Sequence, residues 1–214
     1  MEKRERGIVI KTFYPHKQKL SVITQTMGKI NLVCTSSLIS NIRPGMSLAC
    51  TPELLNETTY HSRSVELIHS PVFGCQKDFY CFHHLAELCY YAVPLANPCD
   101  DIFAILDRAL RRLEMGAFVD DEQTLFHTLT VGQCLVLIGF YPDAQELSSL
   151  FIDFAKSDTL HCLRACIQHC KKQQQILDTW IMRCLQSHPC YKLFKTLPFM
   201  YAQETTFSSS KEKP

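Results

Sequence analysis

The stretch Gly7 to Ser36 decides the first part of the fold, and it reads GIVIKTFYPHKQKLSVITQTMGKINLVCTS. Apolar and polar residues alternate in its first two segments, and a period of two is typical of half-buried β-strands. In this alternation Val9, Lys11 and Phe13 share one face of the first strand. A basic loop joins the two segments, and a turn at Gly28 leads into a third. The sequence therefore predicts a small antiparallel β-unit.

Strand patterns continue to about residue 70. Residues 47–51 and 60–68 alternate or nearly so, and Pro44 and Gly45 supply a turn ahead of them. Five short strands in about seventy residues fit a small closed barrel of OB type, although ribosomal-type and SH3-like barrels fit the same strand count. We therefore expect an α+β protein whose residues 1–70 form a five-stranded OB-type β-barrel.

The rest of the chain has a helical pattern. After residue 70 the apolar period changes from two to about 3.6, and five helices are expected. The clearest one has Asn97 as N-cap and closes at Gly116. Another begins after Ser157 and runs unbroken to about Gln186. An all-α domain is thus predicted over residues 71–200, followed by a short polar, disordered tail over residues 201–214.

Composition places the chain among globular proteins, because 46% of its 214 residues are hydrophobic. Its charged start, MEKRERG, does not resemble a signal peptide, and the sequence contains no run of about 18 apolar residues that would span a membrane. We therefore expect a cytoplasmic protein. The twelve cysteines are then expected to be free thiols in a reducing compartment.

Charge is distributed unevenly along the chain. Up to Gly45 there are eight Lys and Arg against two Glu, whereas the remainder carries fourteen basic and nineteen acidic residues. A basic β-unit ahead of an acidic helical body is a reason to expect a polyanion at the N-terminal end. The other reading, that these are ordinary solvating charges, stays open.

Two helical clusters carry residue types found in metal sites and catalytic sites. Cys162, Cys166 and Cys170 recur every four residues, and either a structural zinc or buried core thiols explains them. No Cys-x-x-Cys pair supplies further ligands, which favours thiols. The second cluster comprises Cys81, His83, His84 and Glu87. No orienting acid accompanies it, and the common hydrolase, metalloprotease and nucleotide-binding motifs are absent from the sequence. We expect a non-enzyme without a metal or cofactor.

The order of features at the N-terminus resembles that of a known family. A short basic N-terminus, a strand ending Val-Ile-Lys, a Tyr-containing loop, a strand ending Val-Ile-Thr and the Gly28-Lys29 turn follow one another. This combination resembles the opening of RecO, the bacterial recombination mediator family. Three later segments resemble the family in the same order: Phe79 to Tyr91, Leu137 to Pro142, and Trp180 to Met200. The resemblance covers nearly the whole chain.

The sequence departs from the RecO pattern at two places. Many family members follow the third strand with a Gly-x-Arg-Arg loop, whereas the stretch Cys34 to Arg43 carries one charge. Some members bind zinc through two Cys-x-x-Cys pairs after the Gly-x-x-Pro segment, and no cysteine lies between Pro142 and Cys162 here. The first departure leaves open whether DNA binding rests on other residues.

The resemblance implies a recombination mediator in DNA repair. Such a protein binds single-stranded DNA, contacts the single-strand-binding protein, joins RecR, and helps to load the recombinase RecA or to anneal strands. Its expected place is the nucleoid in the cytoplasm. The candidate DNA contacts are the basic and aromatic residues of the β-unit: Lys3, Arg4, Arg6, Lys11, Phe13, Tyr14, Lys17, Lys19, Lys29 and Arg43.

The resemblance also implies a partner site on the helical domain. Family members bind the acidic C-terminal tail of the single-strand-binding protein there, and such a groove needs an apolar hole with a cation at its rim. The candidates for that rim are Arg108, Arg111, Arg112, Lys192 and Lys195. The alternative function is a protein-interaction scaffold with an OB-like barrel that has lost DNA binding.

Overall fold

The structure is a computed structural model that describes residues 4–35, 37–98, 100–116, 118, 120–157 and 159–197. A sheet comes first and five helices follow it, so the α+β layout in two parts is confirmed. Contacts divide the chain into two compact units, Met1–Ala117 and Phe118–Pro214, and the first unit holds the sheet together with the first two helices. Lys3 and the tail expected over residues 201–214 lie outside the described residues.

Seven strands form one mixed sheet. They are β1 (Glu5–Thr12), β2 (Lys19–Thr24), β3 (Gly28–Cys34), β4 (Ser47–Cys50), β5 (Glu53–Asn56), β6 (Thr59–Ser62) and β7 (Val65–His69). Their order across the sheet is β5-β6-β3-β2-β1-β4-β7. The β3–β6 pair is parallel and the other neighbours are antiparallel.

The predicted five-stranded closed barrel was wrong in strand count and in closure. Across the described residues the hydrogen-bonded ladder ends at β5 and at β7, so the sheet is not closed into a barrel. The single strand expected over residues 60–68 is interrupted where the Ser62 hydroxyl donates to the Ser64 carbonyl, 2.7 Å away. The unpredicted β5 ends in a turn in which Asn56 Oδ1 accepts from the Thr59 amide at 3.1 Å.

Both faces of the central strands are buried. One face, which we call the inner face, carries the main apolar cluster: Val9, Leu20, Val22, Ile30, Leu32, Cys34, Ile39, Ile42, Leu48, Cys50 and Val65. On the opposite, outer face, Ile8 and Ile23 are fully buried, and the helices α1 (Gln76–Ala92) and α2 (Asp100–Glu114) pack against β1. This burial on two faces accounts for the unbroken apolar run Ile8 to Ile10 in β1 and for the adjacent Val22 and Ile23 in β2.

A bulge in β1 changes the face of the residues that follow it. Val9 pairs with Val22, and the next pair along the strand is Lys11 with Ser21, so the register shifts by one residue at this point. Directly paired residues share a face, and Ser21 faces away from Val22. Lys11 therefore lies on the outer face, and the expectation that Val9 and Lys11 share a face was wrong because a bulge re-aims the side chains after it.

The turn between β2 and β3 depends on glycine. Gly28 has a φ of +70°, and a Cβ at this position would lie 1.8 Å from the carbonyl oxygen of Asn97. The Asn97 backbone is therefore held against the turn, and α2 begins at Asp100 instead of directly after Asn97 as predicted. Gly116, with a φ of +57°, follows the last turn of α2 as expected.

The second unit consists of α3 (Asp120–Ile138), α4 (Gln145–Lys156) and α5 (Leu160–Ser187), with a short 3₁₀ helix at Tyr191–Leu193. Helices α3 and α4 both pack against α5. The unbroken α5 confirms the predicted long helix, which starts where the Thr159 hydroxyl accepts from the Cys162 amide at 3.2 Å. The cysteines of the described residues are free thiols, and no described helix is both long and apolar enough to cross a membrane.

Candidate nucleic-acid interface

Three neighbouring strands direct lysines to the outer face of the sheet. Lys11 pairs with Ser21 across β1 and β2, and Lys19 lies two residues before Ser21 on β2, hence on the same face. Lys29 on β3 pairs with Ile23, which is also an outer-face residue. The bulge in β1 and the register of β3 thus place three of the predicted DNA contacts on one face.

The end of helix α1 supplies aromatic rings to this face. The ammonium nitrogen of Lys11 lies 3.8 Å from the centroid of the Tyr90 ring, 5.4 Å from that of Phe13 and 5.6 Å from that of Tyr91. The Lys19 ammonium lies 5.2 Å from the Phe13 centroid. These distances are within the range of cation–π contacts. We call Lys11, Phe13, Lys19, Tyr90 and Tyr91 the lysine–aromatic cluster.

The rings of the lysine–aromatic cluster are in mutual contact and remain accessible. The Phe13 and Tyr90 centroids are 6.2 Å apart with their planes tilted by 56°, and the Tyr90 and Tyr91 centroids are 4.8 Å apart, edge to face. All five side chains of the cluster are partly buried, so each keeps some exposure to solvent. The cluster therefore offers flat apolar surfaces beside two ammonium groups.

The positive charge of the cluster is not balanced by a carboxylate. Among the described residues, neither Lys11 nor Lys19 forms an ion pair with Asp or Glu. Lys17 and Tyr14, on the loop between β1 and β2, are exposed, and Tyr14 is 45% accessible. Uncompensated cations beside aromatic rings suit a ligand that is both anionic and aromatic, which is the chemistry of a nucleotide chain.

Lys29 is buried and bonds to the protein backbone. It is only 6% accessible, and its ammonium donates to the carbonyl oxygen of Tyr90 at 2.7 Å. That carbonyl belongs to the last turn of α1, whose orphan acceptors and negative dipole end favour a cation. Lys29 thus anchors the end of α1 to β3 and fixes the position of Tyr90.

The three arginines that were predicted to contact DNA bond to other residues of the protein. Arg4 forms an ion pair with Glu66, and Arg6 forms one with Asp107 at 2.8 Å. Arg43 donates to the carbonyl oxygens of residues 40 and 42, at 2.6 and 3.0 Å, in the turn that it follows. The described residues of the predicted DNA-binding set therefore separate into internally paired arginines, a buried Lys29, and the available group Lys11, Phe13, Tyr14, Lys17 and Lys19.

The predicted rim for a partner tail is divided between the two units. Arg108, Arg111 and Arg112 lie on α2 in the first unit, where Arg111 is paired with Asp107 at 2.9 Å. The other two candidates, Lys192 and Lys195, lie after α5 in the second unit, and both are exposed. The five candidates thus belong to different units, and their joint role as a rim stays a prediction.

Sequence reasoning missed a groove within the second unit. It has a volume of about 350 Å³ and is lined by Asp143, Ala144, Leu147, Gln175, Ile176, Thr179, Trp180 and Arg183. Its lining combines apolar side chains, among them Ile176, which is 57% exposed, with the cation of Arg183 and the carboxylate of Asp143. The helical spacing of Ile176, Trp180 and Arg183 on α5 was the available signal, but periodicity alone does not show which side of a helix stays uncovered.

The cysteine and histidine clusters do not form a group of metal ligands in the described part of the chain. Cys166 and Cys170 are buried and Cys162 is exposed, and the described residues contain no group of three or more potential ligands. Burial, assisted by Asp78, raises the pKa of the Cys81 thiol to about 12. Burial lowers the pKa of the His84 imidazole to about 4. Cys81 is thus a neutral core thiol, not an activated nucleophile.

No protein-family model and no curated protein sequence matches this chain. The resemblance to RecO consequently rests on the segments quoted from the sequence and stays a prediction. What the site can do is therefore argued from its own residues.

Proposed function

We propose that this protein is a RecO-like recombination mediator that binds single-stranded DNA during DNA repair. In this role it works with RecR and the single-strand-binding protein to anneal strands and to help load the recombinase RecA. The observation that carries the proposal is the lysine–aromatic cluster, in which two ammonium groups lie over the rings of Phe13 and Tyr90 and have no carboxylate partner among the described residues. The proposed place of action is the nucleoid in the cytoplasm.

Binding of this kind requires no bond-making chemistry. Lys11, Lys17 and Lys19 neutralise phosphates, and the neighbouring Phe13 and Tyr14 offer faces on which bases stack. Because every base has a flat face and every nucleotide a phosphate, such a site binds with little regard to sequence. Tolerance of sequence is what a recombination mediator needs, and we propose a non-enzymatic role without a metal or cofactor.

The finer description of the sheet as OB-type is also part of this proposal. Strand β6 pairs with β3 at one side of the ladder and β7 pairs with β4 at the other. Only residues 63 and 64 separate these two strands in the chain, so a single stretch, residues 59–69, reaches both sides of the ladder. Val65 of β7 and Ile30 of β3 share one apolar cluster. An interrupted fifth strand of an OB fold accounts for these pairings.

Titration of labelled single-stranded DNA at several salt concentrations tests the proposal. If Lys11, Lys17 and Lys19 each neutralise about one phosphate, the slope of log K against log salt should be near −2, from roughly −0.7 per contact. Duplex DNA of the same length is the control, and it should bind more weakly because its bases are not available for stacking. Failure of single-stranded DNA to bind at low salt would contradict the proposal.

The groove of the second unit supports the partner part of the proposal. The apolar Leu147, Ile176 and Trp180 in the lining, together with the cation of Arg183, suit a tail that ends in an apolar residue and carries acidic side chains. Trp180 is the single tryptophan of the chain, so its fluorescence reports directly on the groove. A peptide with the acidic tail should shift this fluorescence, and Arg183→Glu should abolish the shift. The exposed Lys156→Glu, which lies outside the groove, is the matched charge-reversal control in the same unit.

One set of observations favours the alternative, a protein-interaction scaffold whose OB-like sheet has lost DNA binding. Arg4 and Arg6 are paired with acids and Lys29 is buried, so fewer cations are available than the sequence suggested. A scaffold would bind the acidic tail peptide in the groove and show no binding of single-stranded DNA at low salt. The two titrations together distinguish the two functions.

A further inference from the structure

We infer that Tyr90 is the stacking surface for one unpaired base and that the Lys11 ammonium covers this surface until a base displaces it. The inference rests on the proposed function, because it assigns roles within the same site. Neither role follows from the sequence pattern, since Tyr90 lies on α1, about seventy residues away from the strands that supply the lysines.

The geometry makes Lys11 and a base alternative occupants of the Tyr90 ring. The ammonium nitrogen of Lys11 lies 3.8 Å from the ring centroid, which is closer than its approach to Phe13 or Tyr91. A base that stacks on a ring needs the same layer of space, because carbon atoms of stacked rings lie about 3.5 to 4.0 Å apart. Lys11 and a base therefore cannot occupy this face of Tyr90 together.

The backbone that carries the Tyr90 ring is anchored, whereas the cover is the end of a long side chain. Lys29 donates to the Tyr90 carbonyl oxygen at 2.7 Å and fixes the last turn of α1. Lys11 has no carboxylate partner among the described residues, and its ammonium is carried on a flexible four-carbon stem. The Tyr90 ring is thus preorganised for stacking, and Lys11 is free to turn toward a negative charge.

A nucleotide chain provides a new partner for the Tyr90 ring and a new partner for the Lys11 ammonium at the same time. The base takes the ring face that Lys11 leaves, and the phosphate beside that base accepts the displaced ammonium. The exchange needs a base that is not paired and a phosphate adjacent to it, so it selects single-stranded over duplex nucleic acid. If this exchange occurs, the base and the phosphate each add to the affinity, and the two contributions can be measured separately.

An abasic oligonucleotide separates the two contributions. The wild-type protein is titrated with labelled oligo-dT of about fifteen nucleotides and with an abasic oligonucleotide of equal length, which keeps the phosphates and lacks the bases. Oligo-dT should bind about 5- to 150-fold more tightly, since stacking of one base is worth roughly that factor. Tyr90→Leu should reduce this difference by the factor that one stacked base contributes and leave the part that Phe13 and Tyr14 supply, whereas Tyr90→Phe should keep the full difference. Tyr80→Leu, on the same helix, is the matched control because Tyr80 lies outside the lysine–aromatic cluster.

Lys11→Met tests the cover. It should weaken binding of the abasic oligonucleotide more than binding of oligo-dT and so raise their ratio above the wild-type value, because the charge is lost from both complexes and only a base gains from the uncovered ring. A measurement on the wild-type protein avoids any folding defect of the variants: the Lys11 ε-methylene proton resonance, shifted upfield by the Tyr90 ring in the free protein, should move downfield when oligo-dT binds.

The outcomes separate this inference from the proposed function. Equal affinity for the two oligonucleotides, or an unmoved Lys11 resonance in the presence of bound oligo-dT, overturns the inference while DNA binding stands. Absence of binding to oligo-dT at low salt overturns both.

Discussion

Strand β1 has basic side chains at or next to both of its ends, and the residues that contact them differ between the two ends. At its beginning, Arg6 is paired with Asp107 and the preceding Arg4 is paired with Glu66. At its end, Lys11 lies over the Tyr90 ring and has no carboxylate partner in the described part of the chain. We call these the arginine end and the lysine end of the strand.

The difference shows that a count of basic residues is a poor guide to an anion site. Both ends contribute to the positive charge of the N-terminal region, but a cation that already has an internal carboxylate offers little net field to a phosphate. The partners of the arginines come from β7 and α2, far along the chain. The potential to bind a polyanion therefore belongs to the lysine end.

The largest change in stability is expected for Lys29. This residue lies on β3, not on β1, and it is buried. Lys29→Glu should lower the free energy of unfolding by about 3 to 5 kcal/mol, since it places an unpaired negative charge beside the Tyr90 carbonyl oxygen. Lys17→Glu, an exposed loop variant, is the control and should stay within about 0.5 kcal/mol of the wild type. Urea unfolding measures both. Equal stability of the two variants would show that Lys29 does not hold the end of α1.

The two ends are compared directly by matched double substitutions. Lys11→Gln with Lys19→Gln should weaken binding of single-stranded DNA about 30-fold or more, roughly 2 kcal/mol, and should reduce the salt slope by about 1.4. Arg4→Gln with Arg6→Gln removes the same formal charge and should leave the slope nearly unchanged. Anisotropy titrations at several salt concentrations measure both effects. A similar loss in both double variants would remove the distinction between the ends.

Sequence patterns predicted several strands and helices well, but they predicted poorly on which face of the sheet a side chain lies. The first three strands and the long α5 follow from apolar periods and breakers that lie within a few residues of one another. The bulge in β1 depends on pairing with β2, and it moved Lys11 to the other face of the sheet. An alternation counted along one strand has no means of registering an extra residue in the ladder.

Only the part of the lysine–aromatic cluster that is close together in the sequence could be predicted. Lys11, Phe13 and Lys19 stood out as a basic and aromatic group close together in the sequence. Tyr90 is brought to them by packing of α1 on β1, which is a long-range contact that no local pattern encodes. The same limit applies to Asp107, whose position about two turns before the end of α2 gave no sign that it is paired with Arg6.

The stability of the lysine end should depend on pH through α1, the helix that carries Tyr90. Burial lowers the pKa of His84 to about 4, whereas the unfolded chain has the ordinary value of 6.5. Between these values the unfolded state binds more protons, so stability is complete above pH 6.5 and falls as the pH is lowered toward 4. Partial exposure reduces the effect to on the order of 1 to 2 kcal/mol. Urea unfolding at several pH values measures it, and His84→Gln should flatten the profile over this window.

The smallest effect is expected at the arginine end, because its ion pair is partly exposed. Arg6 and Asp107 keep 36% and 20% of their side-chain surface accessible. A double-mutant cycle with Arg6→Gln and Asp107→Asn should give a coupling free energy of about 0.5 to 1 kcal/mol that decreases at high salt. The single variant Asp107→Asn sharpens the comparison further, since it releases Arg6 and Arg111 together. Freed of their shared carboxylate, these arginines should strengthen binding of single-stranded DNA and steepen its salt slope. If Asp107→Asn leaves the slope unchanged, internal pairing does not distinguish the two ends, and the contrast must come from their rings, which are partly exposed beside Lys11 and buried, as Phe103, beside Arg6.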